Sequence, residues 1–269
     1  MHFIPEFTQP SHIAGDSIII LFSENNIYLK KESVIYDLPN YKEIDVPISN
    51  SFYLGSLVQK PLWVINTPTD DFSWPNNKLE KLTTREAFSV LSNDQVKLIG
   101  MAFQLMRWSR NCNFCSNCGE KLILSDQERA KICNHCDKIY YPRINPCIIV
   151  SIRKGNQILL ARSPRFPKKK FSVIAGFVEI GETLEACVAR EIKEEVGISV
   201  QNIQYFKSQN WPFPNSLMIA FTADYLSGKV KIDHREIVEA NWYTKETLPN
   251  LPENCTVAGQ LINAFLDSL

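Results

Sequence analysis

Gly176–Ile198 reads GFVEIGETLEACVAREIKEEVGI, and its second half crowds carboxylates onto the end of a helix. Glu191, Glu194 and Glu195 stand at i, i+3 and i+4, so their side chains share one helix face. Like charges at that spacing repel by roughly 0.2–0.5 kcal/mol per pair. The helix stops at Gly197, so the carboxylates also sit where the macrodipole disfavours negative charge. Both local terms oppose the arrangement, and a bound cation resolves the conflict. Oxygen-rich sites of this kind suit Mg²⁺ or Mn²⁺. The stretch therefore predicts a divalent-metal site for phosphate chemistry.

The chain has 269 residues, enough for one large domain or two modest ones. Lys+Arg and Asp+Glu number 29 each, so the net charge is zero and no global basic footprint argues for bulk nucleic-acid binding. A local contact with one nucleotide or an RNA end remains compatible with that balance. No apolar run approaches the roughly 18 residues of a membrane helix. Ile18–Phe22, the most apolar early stretch, has neither a basic flank nor a cleavage site, so it does not read as a signal peptide. The expectation is a cytoplasmic protein with no membrane association. Tight CxxC pairs among the eight cysteines favour thiols or metal ligands over disulfides.

Around this centre the chain predicts three segments: an N-terminal α+β domain over 1–108, a ribbon over 109–143 and an α/β domain over 144–269. In the first, Ser17–Phe22, Asn26–Leu29, Phe52–Val58 and Leu62–Ile65 read as strands. Asp70, Asp71, Pro75 and Asn76-Asn77 mark an exposed loop. Thr83 or Thr84 caps a short helix, and Asn93–Trp108 is a longer one. In the last segment Cys147–Ile152, Gln157–Ala161, Phe171–Val178, Val200–Lys207, Leu217–Tyr225 and Glu239–Tyr243 read as strands. Glu182–Val196 and Thr256–Leu269 read as helices, the second turning Val257, Leu261, Ile262, Phe265 and Leu266 inward.

Between them lie Cys115-x2-Cys118 and Cys133-x2-Cys136. Two CxxC pairs at this spacing suit two β-knuckles that hand four thiolates to one tetrahedral Zn²⁺. Four protein ligands close the shell, so the predicted role is structural. Cys112 makes the run CxxCxxC and offers Cys112/Cys115 as a competing pair. Gly119, directly after Cys118, favours Cys115/Cys118, because the knuckle turn suits a residue without Cβ. His135 lies inside the second knuckle and reads as a spectator. Cys147, Cys187 and Cys255 are expected to be plain buried residues.

Gly176, Glu182 and Arg190–Ile198 match the Nudix box, G-x5-E-x7-R-E-U-x-E-E-x-G-U, at every fixed position. The chain thus resembles a Nudix hydrolase, which implies a mixed-sheet α/β/α sandwich and metal-dependent cleavage of a nucleoside diphosphate linked to another moiety. Ser208–Ser216 reads SQNWPFPNS and resembles the SQPWPFPxS signature of the NADH pyrophosphatase branch, with Asn210 in place of the first proline. That substitution is expected to change loop stiffness, since proline fixes φ.

The resemblance implies site roles position by position. Glu191 and Glu195 hold divalent cations, Mg²⁺ or Mn²⁺, with Glu194 a ligand or base beside them and the Ala175 carbonyl an added ligand. Arg190 orients a box carboxylate such as Glu182. Glu236 supplies a metal-binding or catalytic carboxylate from outside the box, with Glu239 the nearby competitor. Trp211 and Phe213 offer aromatic faces to a planar base, and Gln209 and Ser216 offer hydrogen bonds. Phe177 and Tyr141 stack on the nicotinamide end, Tyr141 from across a dimer interface. Ala258 gives a backbone contact. Arg85 reaches the nucleotide phosphate or its RNA extension, against the plainer reading of a surface arginine.

The activity implied is hydrolysis of NAD(H) to nicotinamide mononucleotide and AMP, and removal of NAD caps from RNA 5′ ends, by a homodimer. Two rival readings are a Nudix hydrolase acting on ADP-ribose, and a non-catalytic zinc-ribbon protein that binds nucleotide or RNA.

Overall fold

The computed structural model describes residues 2–24, 26–32, 35–43, 51–67 and 79–269. The predicted loop at Asp70, Asp71, Pro75 and Asn76-Asn77 lies outside them. The chain divides into two compact units, Met1–Arg143 and Ile144–Leu269.

In the first unit β1 (Phe3–Pro5), β2 (Ile18–Ser23), β3 (Asn26–Glu32), β4 (Ile35–Asp37), β5 (Ser51–Leu57), β6 (Lys60–Thr67) and β7 (Leu79–Thr83) form one sheet. Its order is β1-β5-β6-β2-β3-β4, with β7 paired to β3 and only β2–β6 parallel among the described pairings. Two helices follow, α1 (Thr84–Val90) and α2 (Asn93–Asn111). Both start with a reciprocal cap: Thr83 with Glu86, and Ser92 with Gln95. The α2 face of Leu98, Ile99, Ala102, Phe103 and Met106 packs against Ile20, Phe22, Leu54 and Val64 from the sheet. Three short strands, β8 (Ile123–Leu124), β9 (Lys131–Ile132) and β10 (Ile139–Tyr140), make the ribbon. Arg129 anchors the ribbon: its guanidinium donates to the Leu54 carbonyl at 3.0 Å and lies over the Phe7 and Phe52 rings.

The second unit is built on β11 (Asn145–Lys154), β12 (Gln157–Arg162), β13 (Ile174–Phe177), β14 (Ser199–Trp211), β15 (Ser216–Ser227) and β16 (Glu239–Tyr243). Strand order is β14-β15-β11-β12-β16, with β13 paired to β11. β11 and β15 are parallel and the other pairs antiparallel, so the sheet is mixed. Alternation along the strands sorts the two faces. Ile148, Val150, Ile152 and Leu159 pack with α3 (Leu184–Val196), whereas Ile149, Ile158 and Leu160 pack with α4 (Val257–Asp267). This is the expected α/β/α sandwich.

Three expectations need correction. Phe171 and Val173 are not in a strand: β13 starts at Ile174, and both side chains are spent in the core against α4. Ser208–Ser216 is not simply a loop. Ser208–Trp211 ends β14 and Ser216 begins β15, so the stretch is the tip of an antiparallel hairpin, and Asn210 is a ladder residue opposite Leu217. Cys255 is exposed, because it sits in the turn before α4 rather than on the helix's inner face; Cys147 and Cys187 are buried as expected.

Candidate active site and metal centres

α3 begins where Thr183 accepts the Ala186 N–H at 3.2 Å, and it ends at Gly197, whose φ of 74° is the left-handed C-cap. These two stops fix which residues fall in the last two turns. Val188, Ile192 and Val196 point into the core, and this rotates Glu191 towards β13, with Glu195 one turn further on the same helix face.

The strand accommodates Glu191 at Gly176. A Cβ there would lie 1.9 Å from Glu191 Cδ, so the glycine makes room for that carboxylate. Ala175, whose carbonyl is the expected extra ligand, is the preceding residue and pairs with Ile149.

Arg190 organises the acids. Its Nε and Nη2 donate to the two Glu182 oxygens at 2.8 and 3.0 Å, and its Nη1 donates to Glu191 and Glu194, both at 2.9 Å. Nη2 also donates to the Phe177 carbonyl at 2.9 Å, which ties the helix to the end of β13. This fork holds the Glu182 carboxyl well below its usual range, at about 2.

Glu195 has no such partner. It is 6% exposed, and its Oε2 is buried without a hydrogen bond. Burial first, then Glu191, Glu236, Asp233 and Glu194, push its carboxyl up to about 8. Glu191 is raised as well, chiefly by burial, against the pull of Arg190. Glu194 is the exposed member of the group.

Glu236 belongs to this cluster, since its charge acts on both Glu191 and Glu195. Its segment is fixed by Asp233, whose carboxylate accepts the Glu236 N–H at 3.0 Å and the Ile237 N–H at 3.0 Å. Glu239 is occupied elsewhere, paired with Arg162 across the β12–β16 ladder. An orphaned buried carboxylate oxygen among mutually repelling acids suits a hard divalent cation. The carboxylates do not converge as tightly as the ribbon thiols.

The hairpin tip between β14 and β15 presents Trp211 and Phe213, half-buried and edge-to-face at 5.4 Å. Ser216 is buried at the start of β15. Phe177 is exposed at the end of β13, and Ala258 lies in the first turn of α4. Gln209 is engaged within the chain. Its Nε2 donates to the Cys255 carbonyl at 2.8 Å, and its Oε1 accepts the Val257 N–H at 2.7 Å. It thereby clamps β14 to the start of α4. Tyr141 and Arg85 lie in the other unit; both are exposed, and the Tyr141 hydroxyl donates to Glu128 at 3.1 Å.

In the ribbon, Cys115, Cys118, Cys133 and Cys136 bring their sulfurs within 4.8 Å of one another. The Cys115–Cys136 and Cys118–Cys133 separations of 3.4 Å are close to the roughly 3.8 Å edge of a tetrahedral Zn–S₄ site. The thiolate set fits structural zinc, and neither Cys112 nor His135 is part of it. Each knuckle closes with a backbone bond: Gly119 N–H to Cys115 and Asp137 N–H to Cys133, both at 2.9 Å.

Two residues escaped the sequence reading. The Tyr140 hydroxyl lies 3.1 Å from Cys115 Sγ and accepts the Ser116 N–H at 3.0 Å, a support for the thiolate that only the fold reveals. Asp233 had a local signal, an Asp three residues before Glu236 that can form an Asx turn.

The sandwich and the acid-lined helix define a class, and the sequence comparisons agree with it. Residues 142–265 match the NUDIX domain, and residues 110–141 match the NADH pyrophosphatase zinc ribbon domain. The chain belongs to the Nudix hydrolase family. Within it, a relative named NAD-capped RNA hydrolase NudC from Escherichia coli is 51% identical over 244 residues, covering 90% of each chain. A relative of the same name from Pseudomonas aeruginosa is 46% identical over 173 residues, and there the match spans only 62% of the relative's length. A crystal structure of a NUDIX hydrolase from Nitrosomonas europaea shares the fold, with a TM-score of 0.50 at 24% identity over 58% of this chain and 91% of that one.

Proposed function

We propose that this chain hydrolyses the diphosphate bond of NAD(H), giving nicotinamide mononucleotide and AMP, and removes NAD caps from RNA 5′ ends. The observation that carries the reading is the buried, unpartnered Glu195 carboxylate facing Glu191 and Glu236. The name borne by the relative 51% identical over 90% of both chains supports the substrate.

Glu191, Glu195, Glu236 and the Ala175 carbonyl would hold Mg²⁺ or Mn²⁺, which would supply neutralisation of the diphosphate charge. Arg190 keeps Glu191 in place while leaving Glu195 unpaired. Glu194, the exposed acid, accepts the proton of the attacking water. One P–O bond of the diphosphate breaks, and the two phosphates share the elements of that water. Trp211, Phe213 and Phe177 give the substrate rings aromatic faces, and Ala258 offers its N–H from the first turn of α4. Gln209 acts through its clamp on α4, and Ser216 from its buried place at the start of β15. Tyr141, Arg85 and the homodimer belong to this proposal on the family resemblance alone, and the cytoplasmic location on the tight CxxC pairs that favour thiols or metal ligands over disulfides. The division into 1–108, 109–143 and 144–269 is likewise part of the proposal, on the change of pattern along the chain.

The test is turnover of NADH and of NAD-capped RNA by purified protein with Mg²⁺ or Mn²⁺, products resolved by chromatography. Cleavage of ADP-ribose with neither of the other two cleaved overturns the substrate assignment.

A further inference from the structure

Arg165–Lys170 reads RFPKKK, four cations in six residues of a chain whose net charge is zero. The run lies in the loop between β12 and β13. Arg165, Lys168 and Lys169 are exposed, Lys170 is half-buried, and Phe166 stays 41% exposed. Among the described residues no acidic group pairs with any of the four cations, whereas Arg153, Arg162 and Arg190 of the same unit all have carboxylate partners.

The loop is shaped by its backbone. The Phe166 N–H donates to the Ser163 carbonyl at 3.0 Å, and the Lys170 N–H donates to Pro167 at 3.1 Å. Asn250 staples it to the segment before α4, donating to Lys169 O at 3.2 Å and accepting the Phe171 N–H at 2.9 Å. The cations are therefore presented on a fixed turn.

Its place in the sheet gives it meaning. β12, β13 and β14 all end at the edge where β11 and β15 begin. That edge carries the Trp211–Ser216 tip and the Phe177 end of β13. The loop leaves it one residue after Arg162, which pairs with Glu239 and whose carbonyl accepts the Val238 N–H at 2.9 Å. Glu236 lies two residues before Val238. The basic loop thus emerges next to the segment that completes the acid cluster.

Clustered cations follow a chain of phosphates, and an exposed aromatic ring stacks under any base. A free dinucleotide carries only its one diphosphate, which the proposed acid site would take. An RNA that continues from the cap brings one more phosphate with every nucleotide. We propose that this loop holds the single-stranded RNA following the NAD cap, with Arg165 and Lys168–Lys170 on its phosphates and Phe166 against a base. The identity of the ligand rests on the proposed function; the binding itself is tested separately.

The variant is Lys168→Gln/Lys169→Gln/Lys170→Gln in the full chain, with Phe166→Ala as a second variant. NADH turnover is expected to be unchanged in both. For NAD-capped RNA the triple variant raises KM about 10-fold or more at low salt. Single-strand counterion release contributes a slope of about 0.7 per phosphate contact, so three lost contacts reduce the salt slope by about 2. Raising salt from 50 to 200 mM then weakens wild-type binding about 18-fold more than it weakens the variant.

Fluorescence anisotropy with a 5′-monophosphate RNA oligonucleotide reads the same surface without any hydrolysis, so it stands or falls independently of the NAD assignment. Equal wild-type and variant affinity for that RNA overturns the inference, as does an equal loss of NADH and capped-RNA turnover. Lysine-dependent sedimentation with phosphatidylserine vesicles, with no RNA binding, overturns it in favour of a membrane surface.

Discussion

Gly176→Ala isolates the geometry of the acid cluster from the stability of the fold. The backbone of Gly176 lies outside the left-handed region, so alanine is permitted there. Its Cβ would fall 1.9 Å from Glu191 Cδ and 2.2 Å from Oε1, and ordinary contact begins at 3.4 Å. The carboxylate must therefore retreat by about 1.5 Å. Glu191 Cγ lies at 2.3 Å as well, so the side chain must swing away from its Cβ outward; no backbone atom is among these three contacts, so the strand can stay. What is lost is the 2.9 Å bond from Arg190 to Glu191, while Arg190 keeps Glu182 and Glu194. That costs about 1 kcal/mol of stability. Displacing a catalytic group by about 1 Å costs about 10²-fold in rate, or about 2.7 kcal/mol. Turnover of NADH and thermal unfolding are measured on the same preparation. The expected result is a loss of at least about 10²-fold in kcat with the fold retained. Adding Glu191→Gln to Gly176→Ala should cost little more, because both act on one carboxylate. Full turnover by Gly176→Ala, or strictly multiplicative losses in the double variant, refutes the reasoning.

Glu195→Gln should lower kcat by about 10²-fold or more without lowering the unfolding temperature, since an amide replaces a carboxylate whose Oε2 has no partner. Glu182→Gln probes the Arg190 fork through pH. The Glu182 carboxyl is held at about 2, below its ordinary value, so the stabilisation is complete above about 4.5 and fades as pH falls towards 2. The urea midpoints of wild type and Glu182→Gln should differ at pH 7 and converge through that window. Cys133→Ser should abolish stoichiometric zinc, read by elemental analysis, and lower the unfolding temperature of the Met1–Arg143 unit, because this buried thiolate is one of the four ligands.

The acid helix was legible because its signals are local. Thr183, the apolar spacing of Val188, Ile192 and Val196, and Gly197 fix its register within one stretch of chain. The zinc ligands were legible for the same reason. β1 and β7 were not, since Phe3–Pro5 and Leu79–Thr83 become strands only by pairing with β5 and β3 far away in sequence. Tyr140 and Gln209 show the same limit in the sites. Tyr140 meets Cys115 only once the knuckles fold together, and Gln209 meets Val257 only once α4 packs on the sheet. The exposed Cys255 followed its turn, which an apolar reading of its neighbours could not show.

The account turns on metal-dependent cleavage of the NAD diphosphate by the Glu195 cluster. The most direct measurement incubates wild type and Glu195→Gln side by side with NADH and Mg²⁺ or Mn²⁺, and follows products by chromatography. The account predicts reduced nicotinamide mononucleotide and AMP in equal amounts from wild type, and almost none from the variant or after chelation. Intact NADH with wild type, or equal product from Glu195→Gln, contradicts it.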